Sequence, residues 1–150
     1  MNAKECLALV MVAGGLSACA SPAGKVDEQR LDVRMTATER NAGEIAQATL
    51  VPRGGETGVT LFVSGVPSSV ARPVHLYTYI YPGTCAAPGA SPAYELNRTV
   101  NTYHYSRGDV WRLSRTAPVA LATLRSSSHS IVLRTSPADG NLDIFCGDIR

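Results

Sequence analysis

Residues 73–85 read PVHLYTYIYPGTC, and this stretch decides how the chain folds. From residue 74 to residue 81 the side chains alternate between a mainly apolar face and a face of one histidine and three tyrosines. A period of two is typical of a β-strand whose apolar face turns toward the core. The stretch therefore predicts a strand over residues 74–81, followed by a turn that carries Cys85.

The same period recurs along the chain and predicts a sheet of short strands. Alternation or β-rich composition predicts further strands at residues 31–38, 45–51, 59–64, 98–105, 110–115, 130–135 and 142–146. Residues 118–125 contain helix formers behind a proline and predict one or two helical turns. Asp139-Gly140 is a hairpin signal. Seven or eight short strands separated by turns indicate an all-β domain, either a sandwich or a barrel.

Composition argues against several functional classes. The length of 150 residues favours one domain, and the charged fraction of 17% is below the roughly 25% of an average domain. The net charge of +2 is too small to indicate nucleic-acid binding, and the Lys and Arg residues are scattered rather than clustered. The chain has no Gly-x-Ser-x-Gly motif and no phosphate-cradling loop, so we predict that it is not an enzyme.

The first residues are typical of an export signal. Lys4 precedes an apolar run at residues 7–16, which is too short to span a bilayer as a helix. The run ends in Leu16-Ser17-Ala18-Cys19, which resembles the bacterial lipobox. The resemblance implies a signal peptide at 1–18, a lipidated Cys19 with a polar tether over 19–29, and a folded domain at 30–150. The alternative is an ordinary secretory signal in which the cysteine occurs by chance.

The residue after the lipidated cysteine bears on the location of the protein. By resemblance to the bacterial sorting rule, Ala20 rather than Asp favours the outer membrane. We therefore expect an outer-membrane lipoprotein of the bacterial envelope that faces the periplasm or the cell surface. Several acyl chains, such as palmitate, would hold it to the membrane through Cys19, since one chain gives only marginal binding.

Two cysteines remain for the domain once Cys6 leaves with the signal and Cys19 carries lipid. An even pair in an exported chain predicts a disulfide between Cys85 and Cys146. For so long a loop the chain-entropy model gives a stabilisation of about 4 kcal/mol. The alternative is two buried free thiols.

Four motifs occur in order along the domain. They are residues 60–65 followed by Val66-Pro67, Pro73-Val74-His75 leading to Gly83-Thr84-Cys85, residues 131–137, and residues 146–149. Together with the cysteine pair, they resemble the Cu/Zn superoxide dismutase-like domains of bacterial exported proteins, from Ala48 to the end of the chain. The resemblance implies a Greek-key β-sandwich or flattened barrel with a disulfide between Cys85 and Cys146.

The histidines that bind metal in that family are missing. Its His-x-His copper pair falls on His75-Leu76-Tyr77 in one alignment and on Tyr79-Ile80-Tyr81 in the other. Its late-strand histidine falls on Arg134, whose permanent charge would repel Cu²⁺. The zinc-loop histidines are also missing between Cys85 and Asn97. We therefore predict no metal and no cofactor.

What remains is a candidate ligand or partner face made of His75, Tyr77, Tyr79, Tyr81 and Arg134. Aromatic rings with polar tips suit recognition. The alternative is that the tyrosines pack beneath the loop at residues 82–108.

The remaining histidines give little indication of a metal site. His129 lies in a serine-rich segment that predicts an exposed turn. A rearranged metal site would have to combine His75, His104 and a carboxylate.

These observations predict a non-enzymatic envelope lipoprotein with a degenerate dismutase-like domain. Its role would be structural or interaction-based, for example as a surface antigen, with a protein partner that the sequence does not identify. The alternative is a copper- or zinc-binding periplasmic protein, a residual dismutase-like enzyme that uses a rearranged site.

Overall fold

The computed structural model describes residues 29–105 and 110–150. The signal peptide, Cys19 and nearly all of the tether lie outside the described residues. The described chain is all-β, as the sequence predicts, with ten strands in one antiparallel sheet. The strands are β1 Leu31–Ala37, β2 Ala46–Arg53, β3 Glu56–Val63, β4 Leu76–Thr84, β5 Ala87–Pro88, β6 Tyr94–Glu95, β7 Tyr103–Tyr105, β8 Val110–Ala117, β9 His129–Thr135 and β10 Asp143–Ile149. One α-helix, α1 Leu121–Ser126, and two 3₁₀ turns, Glu39–Asn41 and Pro137–Asp139, complete the described elements.

The strand order explains how the sheet encloses a core. It runs β5-β4-β9-β10-β1-β2-β3-β8-β7, with β6 beside β4. The chain crosses between distant strands after β3, after β6 and after β8, which is the connectivity of a Greek-key domain. Strand β1 belongs to both halves of the sheet, because residues 31–35 pair with β2 whereas Thr36 and Ala37 pair with β10.

Both halves of the sheet contribute to one hydrophobic core. Inward residues of β2, β3 and β8 and those of β4, β9 and β10 belong to the same buried cluster. Its largest fully buried members include Leu50, Leu61 and Leu113 from the first half and Leu76, Ile131 and Phe145 from the second. Burying each of these side chains contributes about 1.5–3 kcal/mol, so the alternating pattern is the main source of stability.

Strand β4 has the orientation that the alternation predicts but ends later. Leu76, Thr78 and Ile80 are fully buried. The predicted end at residue 81 is wrong, because β4 continues through Pro82 and Gly83 and pairs with β5. Gly83 makes this continuation feasible, since its φ of 90° suits glycine and its N–H donates to the Ser128 carbonyl at 2.8 Å.

Strand β2 also runs past its predicted end. The strand predicted at residues 45–51 continues to Arg53, and Pro52 pairs with Thr57 in the β2–β3 hairpin. Leu50 is the last β2 residue paired with β1. Pro52 therefore lies where the β1 ladder has already stopped, and its missing N–H interrupts no bond on that side.

Strand β10 departs from simple alternation. The pairing with β9 shifts register between Asp143 and Phe145, which is a β-bulge. Ile144 and Phe145 are consequently both fully buried, whereas Cys146 keeps partial exposure. The prediction of strict alternation over residues 142–146 is therefore wrong at this point.

The prediction for His129 is wrong as well. The residue begins β9 and is only 8% exposed. Its Nδ1 lies 3.1 Å from the Leu124 carbonyl oxygen and 3.2 Å from that of Ser127. Helix α1 confirms the predicted helical turns, and its C-terminal end supplies the polar atoms that satisfy this ring.

Candidate functional site

The disulfide predicted from the sequence is present. Cys85 directly follows β4, and it is bonded to Cys146 in β10 with the two Cα atoms 5.8 Å apart. The Cys85 N–H also donates to Asp148 Oδ1 at 2.7 Å. Two links, one covalent and one a hydrogen bond, therefore tie the end of the tyrosine strand to β10.

Strand pairing brings the predicted face together around Arg134. In the β4–β9 ladder Tyr77 lies opposite Arg134, and Tyr79 and Tyr81 follow along the same side of β4. The Arg134 guanidinium carbon lies 5.1 Å from the centre of the Tyr79 ring and 5.6 Å from that of Tyr81. These distances are those of cation–π contacts. One cation therefore contacts two aromatic rings of the neighbouring strand.

Arg134 also has a carboxylate partner. Asp143 lies opposite Arg134 in the β9–β10 ladder, and its Oδ1 accepts a hydrogen bond from Arg134 Nε. A second, longer contact of 3.5 Å joins Arg134 Nη2 to Asp143 Oδ2. The hydrogen bond to Asp143 raises the pKa of Arg134 above its ordinary value. The guanidinium is therefore charged at all physiological pH values and is already paired within the fold.

The tyrosines differ in exposure. Tyr81 is 8% exposed, whereas Tyr77 and Tyr79 are half-buried. Burial, and secondarily the negative charge of Glu95, raises the pKa of Tyr79. Glu95 belongs to β6, which pairs with β4 at Tyr79. Tyr81 is therefore packed within the fold, whereas Tyr77 and Tyr79 remain partly exposed to solvent.

His75 belongs to the edge of this face rather than to its centre. It precedes β4, is half-buried and forms an isolated β-bridge with Asn101. His104 lies on β7 with its ring 4.9 Å from that of Trp111, and His129 faces the end of α1. Across residues 29–105 and 110–150, no three His, Cys, Asp or Glu side chains are grouped closely enough to hold a metal ion. The residues of the predicted face do not fit a copper or zinc site.

A second surface was missed by sequence reasoning. On the outer side of the other half-sheet, ladder pairing aligns Arg34 with Gln47, Gln47 with Phe62, Phe62 with Arg112, and Arg112 with Tyr103. We call this row, which crosses β1, β2, β3, β8 and β7, the arginine–aromatic face. The Arg112 guanidinium carbon lies 6.0 Å from the centre of the Phe62 ring.

Exposed apolar side chains gather at this face. Among the described residues, the exposed large hydrophobic ones are Ile45 (74% exposed), Phe62 (43%), Tyr103 (79%) and Tyr105 (47%). A half-open groove of about 530 Å³ lies there, lined by Arg34, Met35, Ile45, Ala46, Gln47, Phe62, Val63, Ser64 and Val110. The sequence carried a signal, because Phe62 stands on the polar side of an alternating strand. Only the register of five strands shows that these residues meet.

Comparison with protein-family models, curated proteins and solved structures found no match for this chain. The resemblance to dismutase-like domains therefore rests on the four sequence motifs and the cysteine pair. Within the part of the chain that the structure describes, no helix is long and apolar enough to cross a bilayer.

Proposed function

We propose that the protein is a non-enzymatic lipoprotein of the bacterial envelope, anchored through Cys19, whose β domain acts as a binding module. One observation carries the proposal: Arg134 is held over Tyr79 and Tyr81 and paired with Asp143. Arg134 stands where the dismutase-like resemblance would require the late-strand histidine, and Tyr79 and Tyr81 stand at the copper pair in one of its two alignments. A guanidinium repels metal cations and offers no lone pair for coordination.

The anchor is supported by the leader and the lipobox-like Leu16–Cys19, and the outer membrane by Ala20. The disulfide supports export, because such bonds persist in oxidising compartments. A stiff sheet that presents aromatic and arginine side chains is suited to binding a partner, since these residue types are enriched in protein interfaces.

Labelling tests the anchor. Cells grown with radioactive palmitate should incorporate label into the wild-type protein, which should sediment with the outer membrane. In the Cys19→Ala variant the label should disappear and the protein should leave the membrane fraction. A wild-type chain without label, or a Cys19→Ala chain that keeps it, would overturn the anchor.

Metal analysis tests the absence of enzymatic chemistry. The full chain should be incubated with Cu²⁺ or Zn²⁺, desalted, and assayed for bound metal and for superoxide dismutation. We expect less than a tenth of an equivalent of either metal, a threshold on the order of experimental background, and no activity. Stoichiometric metal that is lost in the His75→Ala variant would instead support the copper- or zinc-binding alternative.

A further inference from the structure

The arginine–aromatic face has the shape of a recognition groove. Its depression of about 530 Å³ falls within the range of ligand pockets. Ile45, Phe62 and Val110 supply apolar walls, and Arg34 and Gln47 supply polar atoms beside them. A bulky apolar side chain entering this groove would cover surface that is otherwise exposed to water.

The arginines of this face are not neutralised by the described residues. No carboxylate within residues 29–105 and 110–150 forms an ion pair with Arg34 or Arg112. Of the nearby acids, Asp32 pairs with Arg30 at 2.7 Å, and Glu44 accepts a hydrogen bond from Ser64 at the edge of the groove. Arg134 differs from these two arginines, because its charge is neutralised within the fold by Asp143.

We infer that the arginine–aromatic face binds an acidic peptide segment of a protein partner, with one large apolar side chain of that segment in the groove. The inference rests on the proposed binding role and names its partner class. Carboxylates on either side of the apolar anchor would meet Arg34 and Arg112, which stand on opposite sides of Phe62 in the row. Arginine suits this task because its fork of donors matches a carboxylate.

Two other occupants fit less well. A second copy placed by two-fold symmetry would set the arginines of one face against those of the other, which costs free energy by like-charge repulsion. A membrane surface requires a broad apolar patch, whereas the apolar side chains of this groove alternate with the polar Arg34, Gln47 and Ser64. A peptide segment satisfies both the concave shape and the charge.

Fluorescence anisotropy with defined probes tests this inference. The panel consists of labelled synthetic peptides in which one Trp, Phe or Leu is flanked on both sides by Asp and Glu. Each has two matched controls, one with Asn and Gln in place of the acids and one with Ala in place of the apolar residue. We expect at least one acidic peptide to bind the full chain, and each control to bind about tenfold more weakly or worse.

Variants assign the binding to this face. Arg34→Glu combined with Arg112→Glu, and separately Phe62→Ser, should weaken binding of the acidic peptide about tenfold or more. All three side chains point outward, so the fold should persist, as the circular dichroism spectrum would show. Arg150→Glu is the matched control, since Arg150 has 80% of its side chain exposed and lies elsewhere, and it should leave affinity unchanged.

Several results would overturn the inference. They are no binding by any acidic peptide, equal binding of acidic and neutral peptides, and unchanged affinity in the Arg34/Arg112 double variant. Binding only to phosphatidylglycerol vesicles, or a dimer in sedimentation that Phe62→Ser abolishes, would assign the face to one of the rejected occupants. Acidic-peptide binding that ignores the variants would move the site elsewhere while leaving the proposed binding role intact.

Discussion

The guanidinium of Arg115, on β8, donates a hydrogen bond to the carbonyl oxygen of Leu76, on β4, over 3.0 Å. These two strands lie near opposite ends of the sheet path, so a side chain links them where no ladder does. Arg115 is 6% exposed and also donates to the Ser114 carbonyl, while its Nε has no partner among the described atoms. Burial lowers its pKa to about 10, so it remains charged at neutral pH.

Truncation of this residue should destabilise the sheet. We expect Arg115→Ala to lower the free energy of unfolding by about 2–4 kcal/mol, because it leaves a cavity and removes the link to Leu76. Arg115→Met keeps most of the volume without a buried charge, so its loss should be about 1 kcal/mol or less. Urea denaturation measures both, and an Arg115→Ala variant as stable as wild type would contradict the bridging role.

The disulfide should stabilise the domain strongly. Cys85 and Cys146 are separated by 61 positions, a loop for which chain entropy gives about 4 kcal/mol. The Cys85→Ser/Cys146→Ser variant should therefore unfold at much lower urea concentration than oxidised wild type. Reduction with dithiothreitol should lower the stability of wild type and leave the double variant unaffected. Equal stability of oxidised and reduced wild type would argue against this account.

Gly147 should tolerate no side chain, because β1 and β10 approach closely there. A Cβ at this position would lie 2.7 Å from Val33 Cγ1 and 2.9 Å from the Arg34 carbonyl oxygen. We expect Gly147→Ala to cost about 1–3 kcal/mol in thermal or urea unfolding. Gly55→Ala is the matched control, since a Cβ there meets nothing within 4 Å. Similar losses in both variants would show that close approach is not the cause.

Arg134 and Tyr79 should be energetically coupled. In a double-mutant cycle of Arg134→Met and Tyr79→Leu, we expect a coupling of about 0.5–1 kcal/mol, the usual range for partly exposed cation–π pairs. Urea unfolding of the four proteins gives the value. Combining Arg134→Met with Tyr103→Leu, on the other half-sheet, should give additive losses. Additivity in the first cycle as well would mean that the stacking contributes nothing.

Asp139 should make stability depend on acidic pH. Its carboxylate accepts hydrogen bonds from Ser136 Oγ at 2.6 Å and from the Ala71 N–H at 2.9 Å. These bonds, with the Ser136 bond the larger cause, lower the pKa of Asp139 below its ordinary value of 3.8. A carboxyl whose pKa is lower in the folded state stabilises the fold when ionised. The contribution of Asp139 to stability is therefore complete at pH values above its ordinary pKa. That contribution is lost as the pH falls through the lower pKa of the folded state.

The pH dependence of stability in variants of Asp139 and Ser136 tests this assignment. Between about pH 4 and pH 2 the stability of Asp139→Asn should fall less steeply than that of wild type. In Ser136→Ala, an NMR titration should find the pKa of Asp139 closer to its ordinary value. Parallel pH profiles for wild type and Asp139→Asn would contradict the assignment.

Much of the fold could be predicted because strand alternation is a local property. The strand predicted at residues 31–38 is observed at residues 31–37, and the buried face of β4 is the one that the pattern of Leu76, Thr78 and Ile80 indicates. The disulfide could be predicted because only two cysteines remain outside the expected signal and lipidation positions, so each has a single possible partner. The predicted ends of the strands were less accurate, because Pro52 and Pro82 both lie inside strands. Each proline is tolerated there because one side of the strand does not require its backbone N–H for pairing.

The sites could be predicted only in part. Alternation placed Tyr79 and Tyr81 on one face, and the family resemblance associated Arg134 with them; the β4–β9 ladder brings the three side chains together. It could not reveal that Asp143 pairs with Arg134, because that contact depends on a bulge in β10. The prediction for His129 was wrong because its burial depends on a tertiary contact, in which the Leu124 carbonyl of α1 lies beside the imidazole ring.

By itself the sequence determined the all-β class, the cysteine pair and the inward face of β4, since each depends on residue type and local period. Only the tertiary structure decided which outward side chains become neighbours. Arg34, Phe62 and Tyr103 are far apart in the chain and form one row because hydrogen-bonded ladders set the register of five strands. A shift of one residue would turn each of these side chains inward, so no single strand carries the information that they share a surface.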